Sequence, residues 1–327
     1  MRRFLVVICA LLGSLAAGTA SAETYNYTLA GASPGGLWTS LGVGVDAAVK
    51  AAYPGSTITY QTSGGGLANI VLLQQKKVQM GIVHDAELKI AVDGGAPFKQ
   101  PVKDLRMIAN MYDWAPMVAI MTKAFADQYG IKTFDDIAVK KPPMRLALNK
   151  RGNIANDVGV QMLQAIGVSI DDVKKWGGQV ILAASSEQTD LMKDRRADLI
   201  INSLFVRHGS LLELDQAVDI VHLPLSQAVI DRVTKEAGIK PFTIPANSYK
   251  LQPNPVPTVT LSAGVVVNAA MDEKTAYNLT KALVERIDKI KEVHKSMQAL
   301  TPKLMASATV IPFHPGAARY YKEAGLQ

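Results

Sequence analysis

Cysteine is almost missing from this chain of 327 residues, which contains only Cys9. That residue lies in an N-terminal segment that we expect to be removed, so the mature protein has neither a disulfide nor a cysteine ligand for a metal. Histidine is scarce as well, and the five histidines show no H-E-x-x-H spacing. These absences argue against a zinc site, and we expect no metal and no cofactor.

Long apolar runs are missing after the first residues. Arg2 and Arg3 precede an apolar run over residues 4–17, and A-S-A at residues 20–22 follows the small-x-small pattern of signal peptidase sites. The run is too short for a membrane-spanning helix. We therefore expect residues 1–22 to be a cleaved signal peptide and the mature chain to reach the periplasm without a lipid anchor.

The motifs of several enzyme classes are absent too. The sequence contains no G-x-x-x-x-G-K-[ST] loop and no G-x-S-x-G elbow. Without Arg2 and Arg3 the chain keeps 33 Lys and Arg against 28 Asp and Glu, and these charges are spread out. This mild excess argues against nucleic-acid binding and suits an anionic small ligand. We expect that the protein is not an enzyme. An exported enzyme that acts on a small anion is one alternative.

A glycine turn between a strand pattern and a helix pattern is the most distinctive local feature. Residues 57–61 alternate β-branched and aromatic side chains, a helical pattern begins at residue 67, and Asn69 lies in its first turn. The turn between them contains Ser63, Gly64, Gly65 and Gly66. Backbone N–H groups in such a turn, in front of a helix dipole, suit a carboxylate. A connection that needs glycine only for positive φ fits equally well.

A second loop of this kind precedes the first helix. A strand over residues 25–31 leads through A-S-P-G-G to a helix over residues 37–52, which predicts parallel strands with a right-handed crossover. Both loops then lie at the carboxyl ends of neighbouring strands, where open α/β sheets bind ligands. We therefore assign Ser33, Gly35 and Gly36 to the ligand site. Trp38 suits either a cleft wall or the core.

His84 follows a short buried strand at residues 80–83 and emerges at the same end of the sheet. Its ring can donate to a ligand. The His84 and Asp85 pair can equally cap the next helix. The sequence leaves both roles open.

The second half of the chain repeats the arrangement of strand, polar loop and helix. A strand over residues 144–149 leads to Lys150, Arg151, Gly152 and Asn153, and Arg151 can bind a carboxylate through two parallel hydrogen bonds. A solvated basic turn is the alternative. Ser185 with Gln188 predicts a capping box for a later helix.

A further strand, at residues 198–202, ends with side chains of mixed character. Asn202 suits the polar end of a ligand and Phe205 suits its carbon skeleton. A buried loop with satisfied amides fits these residues as well.

The mature chain, about 305 residues long, suits two lobes better than one core. Strands at residues 117–121 and 259–267 are the expected crossings between lobes. Residues 241–258 contain five prolines and predict an extended return segment with little regular structure. We assign residues 23–117 and 259–327 to lobe 1, and residues 118–258 to lobe 2.

The C-terminal motif P-F-H-P-G-A-A-R-Y-Y at residues 312–321 resembles the signature of one family. That family comprises the solute-binding proteins of tripartite ATP-independent periplasmic (TRAP) transporters, of the TAXI subtype. Supporting matches are G-A-S-P-G-G at residues 31–36, S-G-G with Asn69, and G-I-V at residues 81–83. The resemblance covers essentially the whole mature chain.

The resemblance implies an α/β, two-lobed type II periplasmic binding protein fold, with mostly parallel sheets flanked by helices and the ligand in the cleft between lobes. It also implies a monomer that delivers its solute to a TRAP-type permease driven by an ion gradient. An exported sensor subunit is the main alternative.

The binding segments depart from the family pattern. The chain lacks the serine and glutamate of G-G-S-x-E-N, has His84 where a glutamine is usual, and has G-N-I-A at residues 152–155 in place of G-S-G-T. The solutes associated with the family, amino acids and dicarboxylates, therefore do not carry over. We expect a small organic anion, and the glycine at position 66 predicts room for a bulkier one.

Overall fold

The computed structural model describes residues 23–32, 34, 36–308 and 310–327. Ser33 and Gly35, two of the predicted site residues, lie outside these ranges, as does the predicted signal peptide. The described residues form ten strands: β1 Asn26–Ala30, β2 Thr57–Gln61, β3 Met80–His84, β4 Leu105–Thr122, β5 Arg145–Leu148, β6 Gln179–Leu182, β7 Leu199–Ser203, β8 Ile220–His222, β9 Lys240–Ile244 and β10 Val256–Asn268.

Helices connect most of these strands. They are α1 Leu37–Ala52, α2 Gly66–Gln74, α3 Asp85–Asp93, α4 Lys123–Tyr129, α5 Asp136–Lys140, α6 Ile154–Ala165, α7 Ile170–Lys175, α8 Ser185–Lys193, α9 Gly209–Ala217, α10 Gln227–Ala237, α11 Glu273–Glu285, α12 Ile287–Lys291, α13 Pro302–Met305 and α14 Pro315–Glu323, with a 3-10 helix at Lys295–Ala299. None of the helices in the described part of the chain is long and apolar enough to cross a membrane.

Eight of the ten strands form one hydrogen-bonded path in the order β2-β1-β3-β10-β4-β7-β5-β6, while β8 pairs with β4 and β9 pairs with β10. We call β1, β2 and β3, with the parts of β10 and β4 beside them, the first sheet region. We call β5, β6 and β7, with the end of β4, the second sheet region. The pairs β1–β2, β1–β3, β5–β6 and β5–β7 are parallel. The lobe boundaries predicted above stay a prediction.

Strand β4 joins the two regions. The sequence predicts two short strands here, at residues 105–109 and 117–121, separated by polar residues and Pro116. The structure has one strand of 18 residues instead. Its first part pairs with β10 through several register shifts, and Met117–Met121 pairs with β7. Pro116 lies at the end of the pairing with β10 and directly before the pairing with β7, a position at which a strand tolerates proline.

The proline-rich return segment also contains more regular structure than predicted. Lys240–Ile244 forms strand β9, whose Pro241 pairs with Val259 of β10. Among the described strands β9 pairs only with β10, so its other edge is open. Proline is tolerated in such an edge strand because no neighbouring strand there needs its N–H group. The position of this segment at the edge of the sheet therefore allows it to form a strand despite its proline content.

The C-terminal motif attaches the last helix to the first sheet region. The backbone of Met107 donates to Pro312 O at 3.0 Å and accepts from His314 N at 2.9 Å. The Tyr321 hydroxyl is fully buried and donates to Ile108 O at 2.8 Å. The most distinctive family feature of the sequence therefore performs a structural role.

Candidate functional site

A cavity of about 280 Å³ lies between the two sheet regions, close to the size range of small-molecule pockets. Several of its residues directly follow strands: His84 ends β3, Asn149 follows β5, and Asn202 and Ser203 end β7. The carboxyl ends of strands from both regions therefore meet here, as expected for a ligand site in open α/β sheets.

Five helices begin at this cavity. Its lining includes the first residues of α1, α6 and α8, and the residues directly before α3 and α9. Each helix start carries unpaired N–H groups and the positive end of a helix dipole. None of the described lining residues is Lys, Arg, Asp or Glu. Any attraction that this lining exerts on an anion therefore comes from backbone groups and not from charged side chains.

A buried hydrogen-bond chain forms the wall of the cavity on the side of the first sheet region. The indole Nε1 of Trp38 donates to the Tyr112 hydroxyl at 3.0 Å, and this hydroxyl lies 3.1 Å from Nε2 of His84. Nδ1 of His84 lies 3.0 Å from Glu87, a buried carboxylate. Burial holds the pKa of Tyr112 well above its usual range, so the phenol stays protonated.

The wall on the side of the second sheet region carries amides and hydroxyls. The Ser185 hydroxyl accepts the amide N–H of Asn149 at 3.3 Å and of Asn202 at 2.9 Å. Because its oxygen receives two donors, its own hydrogen is left for a third group. The side-chain oxygen of Asn153 accepts from Ala155 N at 2.9 Å and caps α6, which leaves the Asn153 amide N–H groups free to donate.

His208 lies beside this second wall, with Nδ1 2.9 Å from the Ser210 hydroxyl. Burial lowers the pKa of His208 below its ordinary value, so at neutral pH the ring contributes no positive charge. The uncharged character of the lining therefore extends to this histidine.

The cavity contains five of the predicted site residues: Trp38, His84, Asn153, Asn202 and Phe205. Gly36 caps α1 just outside it. Arg151 and Gly152 are exposed and lie outside the lining, although they precede Asn153. The predicted loop thus reaches the cavity through Asn153, but the structure does not bring Arg151 into the lining.

The glycine turn at residues 63–66 lies outside the cavity lining. Asn69 is fully buried and donates to Gly31 O at 2.8 Å and Ile82 O at 2.7 Å, while its oxygen accepts from Ser63 at 2.6 Å. Gly65 has φ of 103°, so positive φ is one reason for glycine here. Gly64 is exposed. These groups hold β1, β3 and α2 together.

The room predicted at Gly66 is taken by the protein itself. The backbone N–H of Gly66 donates to Glu87 at 3.1 Å, and a methyl group built at Gly66 would overlap the Glu87 carboxylate. The expectation that this glycine makes space for a bulky solute is therefore wrong. Glycine is required because the carboxylate of Glu87 approaches the backbone.

The lining residues that the sequence did not indicate include four with polar side chains: Tyr112, Asn149, Ser185 and His208. Asn149 is the last residue of a predicted strand, and polar residues at the carboxyl ends of parallel strands indicate a ligand site. Ser185 was assigned to a capping box, but Ala184 is the N-cap and the Ser185 hydroxyl contacts the two amides described above. Tyr112 lies within a predicted connection between two strands, so nothing local indicated its role.

A wider groove of about 960 Å³ lies at the opposite end of the second sheet region. Several of its charged side chains pair with each other: Arg145 binds Asp198 through Nε at 2.8 Å and through a second nitrogen at 2.5 Å, and Lys123 contacts Asp127 at 2.5 Å. The described residues contain no cluster of three or more His, Cys, Asp or Glu side chains placed for a metal ion. We therefore place the candidate site in the smaller cavity.

Three solved structures share this architecture over nearly their whole length. MatC from Rhodopseudomonas palustris, solved with bound malate, has 13% sequence identity and a TM-score of 0.55, over 92% of this chain and 97% of that chain. A TctC solute-binding protein from Polaromonas has 11% identity and a TM-score of 0.54, over 93% and 96%. The periplasmic binding protein BugD has 14% identity and a TM-score of 0.52, over 93% and 99%. The predicted fold class is confirmed.

The family assignment rests on sequence rather than on these distant structures. A family model described as the NMT1-like family matches residues 29–325 and so covers nearly all of the described chain. The chain therefore belongs to the NMT1-like family.

Proposed function

We propose that this protein is an extracytoplasmic solute-binding protein that captures a small organic anion of the carboxylate type in the cavity between its two sheet regions. The observation that carries the proposal is the convergence of five helix starts on a cavity whose described lining has no acidic side chain. Backbone N–H groups and helix dipoles bind anions without a fixed cation.

The polar side chains of the second wall support the same conclusion. The Ser185 hydrogen and the Asn153 amide are donors left unused by the protein, and both lie at the start of a helix. A carboxylate has lone pairs for about four hydrogen bonds, so it matches a donor-rich wall better than a cation or an apolar group does.

The cavity gives no support for chemistry on the solute. Its serine hydroxyls contact amides and a backbone carbonyl, since Ser203 donates to Ala115 O at 2.8 Å and Ser185 accepts from Asn149 and Asn202. A nucleophilic serine would need a base within hydrogen-bond reach. A protein that binds and releases an unchanged solute is the better match to this arrangement.

Delivery to a TRAP-type permease, and membership of the TAXI subtype, are the finer parts of this proposal. They rest on the resemblance of residues 312–321 to the TAXI signature and on the periplasmic solute-binding fold. The proposed location is the periplasm, after removal of residues 1–22. Uptake by proteoliposomes that contain a TRAP permease encoded beside this gene would test the partnership. A neighbouring membrane kinase gene would favour the sensor alternative.

Thermal unfolding in the presence of candidate solutes tests the binding function. Carboxylates, amino acids, sulfonates and inorganic anions are screened, and a ligand present at 100 times its Kd should raise the free energy of unfolding by about 2.7 kcal/mol. Ser185→Ala should reduce the shift for the best anion. Ser186→Ala, an exposed neighbour in the same helix, is the matched control. A screen in which no anion stabilises the protein would refute the proposal.

A further inference from the structure

We propose that the solute is a monocarboxylate with a planar, ring-sized apolar body, of the class that benzoate represents. This inference rests on the proposed anion-binding function and adds the chemistry of the rest of the solute. It follows from the contrast between the two walls of the cavity: one offers free donors, whereas the other presents rings whose polar atoms are already paired.

The polar side-chain atoms of Trp38, Tyr112 and His84 on the ring-bearing wall are paired with one another or with Glu87. Trp38 Nε1 donates to the Tyr112 hydroxyl, which in turn donates to His84 Nε2, and His84 Nδ1 donates to Glu87. A single neutral tautomer of His84 satisfies all of these contacts at once. The wall is therefore chemically apolar although three of its side chains have polar atoms.

Aromatic surface dominates this wall. Trp38 lies with its ring centroid 4.7 Å from that of His84, and Phe205 meets Tyr112 edge to face at 5.6 Å and 79°. Phe205 is half-buried and belongs to the loop after β7, so it approaches from the second sheet region. Leu37 and Leu261 are further apolar residues of the lining. A flat ring fits against such surfaces better than a flexible polar chain.

The donors on the other wall are sufficient for one carboxylate. Ser185 presents a hydrogen because Asn149 and Asn202 occupy its lone pairs, and Asn153 presents its amide because its oxygen caps α6. Both donors lie on the side of the second sheet region. The charged end of the solute therefore lies there and its apolar body faces Trp38 and Phe205.

A second charged group on the solute has no partner in the cavity. Glu87 is buried directly behind His84, and its negative charge adds to the effect of burial in raising the pKa of Asp157 on α6. A second carboxylate near this wall would meet the same repulsion. An ammonium group would find no described acidic side chain in the lining. Dicarboxylates and amino acids are thus disfavoured.

A quaternary ammonium carboxylate is the remaining competitor, because aromatic rings also bind such cations. A cation requires accessible ring faces on several sides. Tyr112 is only 3% exposed and Trp38 only 8%. Little of either ring face is accessible, so these rings cannot surround a cation on several sides, and the half-buried ring of Phe205 is the main aromatic contact for a planar body.

Isothermal titration against a matched series tests the inference. The probes are benzoate, cyclohexanecarboxylate, butyrate, succinate, glutamate, glycine betaine and benzamide. We expect benzoate to bind at least 10-fold more tightly than butyrate, succinate, glutamate and betaine. Benzamide, which keeps the ring and lacks the charge, should bind at least 10-fold more weakly than benzoate, and the non-planar cyclohexane acid should lie between benzoate and butyrate.

Two variants separate the ring contact from the carboxylate contact. Phe205→Leu should weaken benzoate at least 5-fold and change butyrate less than 2-fold, whereas Ser185→Ala should weaken both acids. Phe125→Leu, on α4 outside the cavity lining, is the matched control and should change neither. The unfolding temperature of each variant establishes that it is folded.

The outcomes distinguish this inference from the function on which it rests. If succinate, glutamate or betaine binds more tightly than benzoate, the inferred solute class is wrong, whereas the proposed capture of an organic anion stands. If Phe205→Leu affects benzoate and butyrate equally, the assigned ring contact is wrong. If no acid in the series binds while the thermal screen yields another stabilising anion, this inference is wrong and the proposed function stands. If no anion stabilises the protein in that screen either, both fall.

Discussion

The Tyr112 hydroxyl lies 3.1 Å from Nε2 of His84, and the two side chains come from strands that the fold brings together. Tyr112 belongs to β4 and His84 ends β3, with β10 between them in the sheet. Their contact orders the wall of the candidate site, because it determines the tautomer of His84 and receives the indole N–H of Trp38.

Tyr112→Phe should therefore destabilise the protein. The variant leaves Trp38 Nε1 and His84 Nε2 without their partner in a buried position, which typically costs about 1–3 kcal/mol. Urea unfolding measures the loss. Tyr277→Phe is the control, since it removes a hydroxyl that donates to Glu323 at 2.6 Å on the surface. Equal losses in both variants would contradict the importance of the buried chain.

Gly66→Ala should be more damaging than its size suggests. The added methyl group overlaps the Glu87 carboxylate, which is held by the N–H groups of Gly66 and His84. Displacing this buried group should cost about 1–3 kcal/mol of unfolding free energy. At Gly64 an added methyl group meets only Ala68 at 3.5 Å, so Gly64→Ala is the matched control. If the two variants are equally stable, Glu87 moves aside freely and this explanation is wrong.

Arg151→Ala tests whether Arg151 binds the solute, as the sequence predicts, or is a solvated charge, as its position outside the cavity lining indicates. A direct Arg–carboxylate pair predicts a loss of about 2 kcal/mol or more in binding free energy. The exposed position of Arg151 outside the lining predicts less than about 0.5 kcal/mol, as for a solvated charge. Titration with the best anion of the screen measures this difference, with Ser185→Ala as the positive comparison. A 10-fold loss of affinity would show that Arg151 binds the solute.

Asp85 should make the protein less stable as the pH rises. Burial raises the pKa of Asp85 to about 7 from 3.8, and one of its oxygens has no partner among the described residues. The folded state therefore binds a proton that the unfolded state releases, so stability is full below pH 4 and falls as the pH rises through 7. The contribution is about 4 kcal/mol for three pKa units.

Asp85→Asn should remove this dependence while keeping an oxygen for the N–H groups of Ala86 and Ser262. Urea unfolding at pH 4.5, 6 and 8 should show the variant gaining stability relative to the wild type by a few kcal/mol as the pH rises. Parallel pH profiles for the two proteins would contradict the assignment.

His222 should act in the opposite direction over the same range. Its ring stacks on Tyr249 at 4.3 Å, and burial lowers its pKa from 6.5 to about 4. The unfolded state takes up a proton first, so stability is full above pH 6.5 and falls as the pH decreases to 4, by about 3 kcal/mol. His222→Phe keeps a stacked ring and should remove this loss in an acid titration followed by circular dichroism. An unchanged acid midpoint would contradict the prediction.

The local elements were predictable from the sequence because their signals are local. The alternation over Thr57–Gln61 and the apolar spacing of Leu41, Val45 and Val49 on α1 reflect one buried face per element, and all three of these helix residues are fully buried. The cap at Asp272, which accepts from Thr275 N at 2.9 Å, is another such signal.

The site itself was only partly predictable, because its residues are joined by contacts that span the chain. Polar residues at strand ends identified His84 and Asn202, since the carboxyl edge of a parallel sheet can be inferred from the order of elements. Ser185 and Tyr112 gave no such signal. Their roles depend on Asn149, Asn202, Trp38 and His84, which lie 17 to 74 positions away in the sequence.

By itself the sequence determined an α/β architecture, the identity of most strands and helices, and the strand ends at which a site can form, because hydrophobic periodicity and turn residues act over a few positions. Only the tertiary structure decided which polar groups remain free. Asn69 and Gly66 resemble binding residues in the sequence, yet Ile82 and Glu87 already satisfy them. Ser185 resembles a helix cap in the sequence, yet the amides of Asn149 and Asn202 occupy its lone pairs and leave its hydrogen for another group. Hydrogen-bond partners depend on proximity in space, which the sequence does not give.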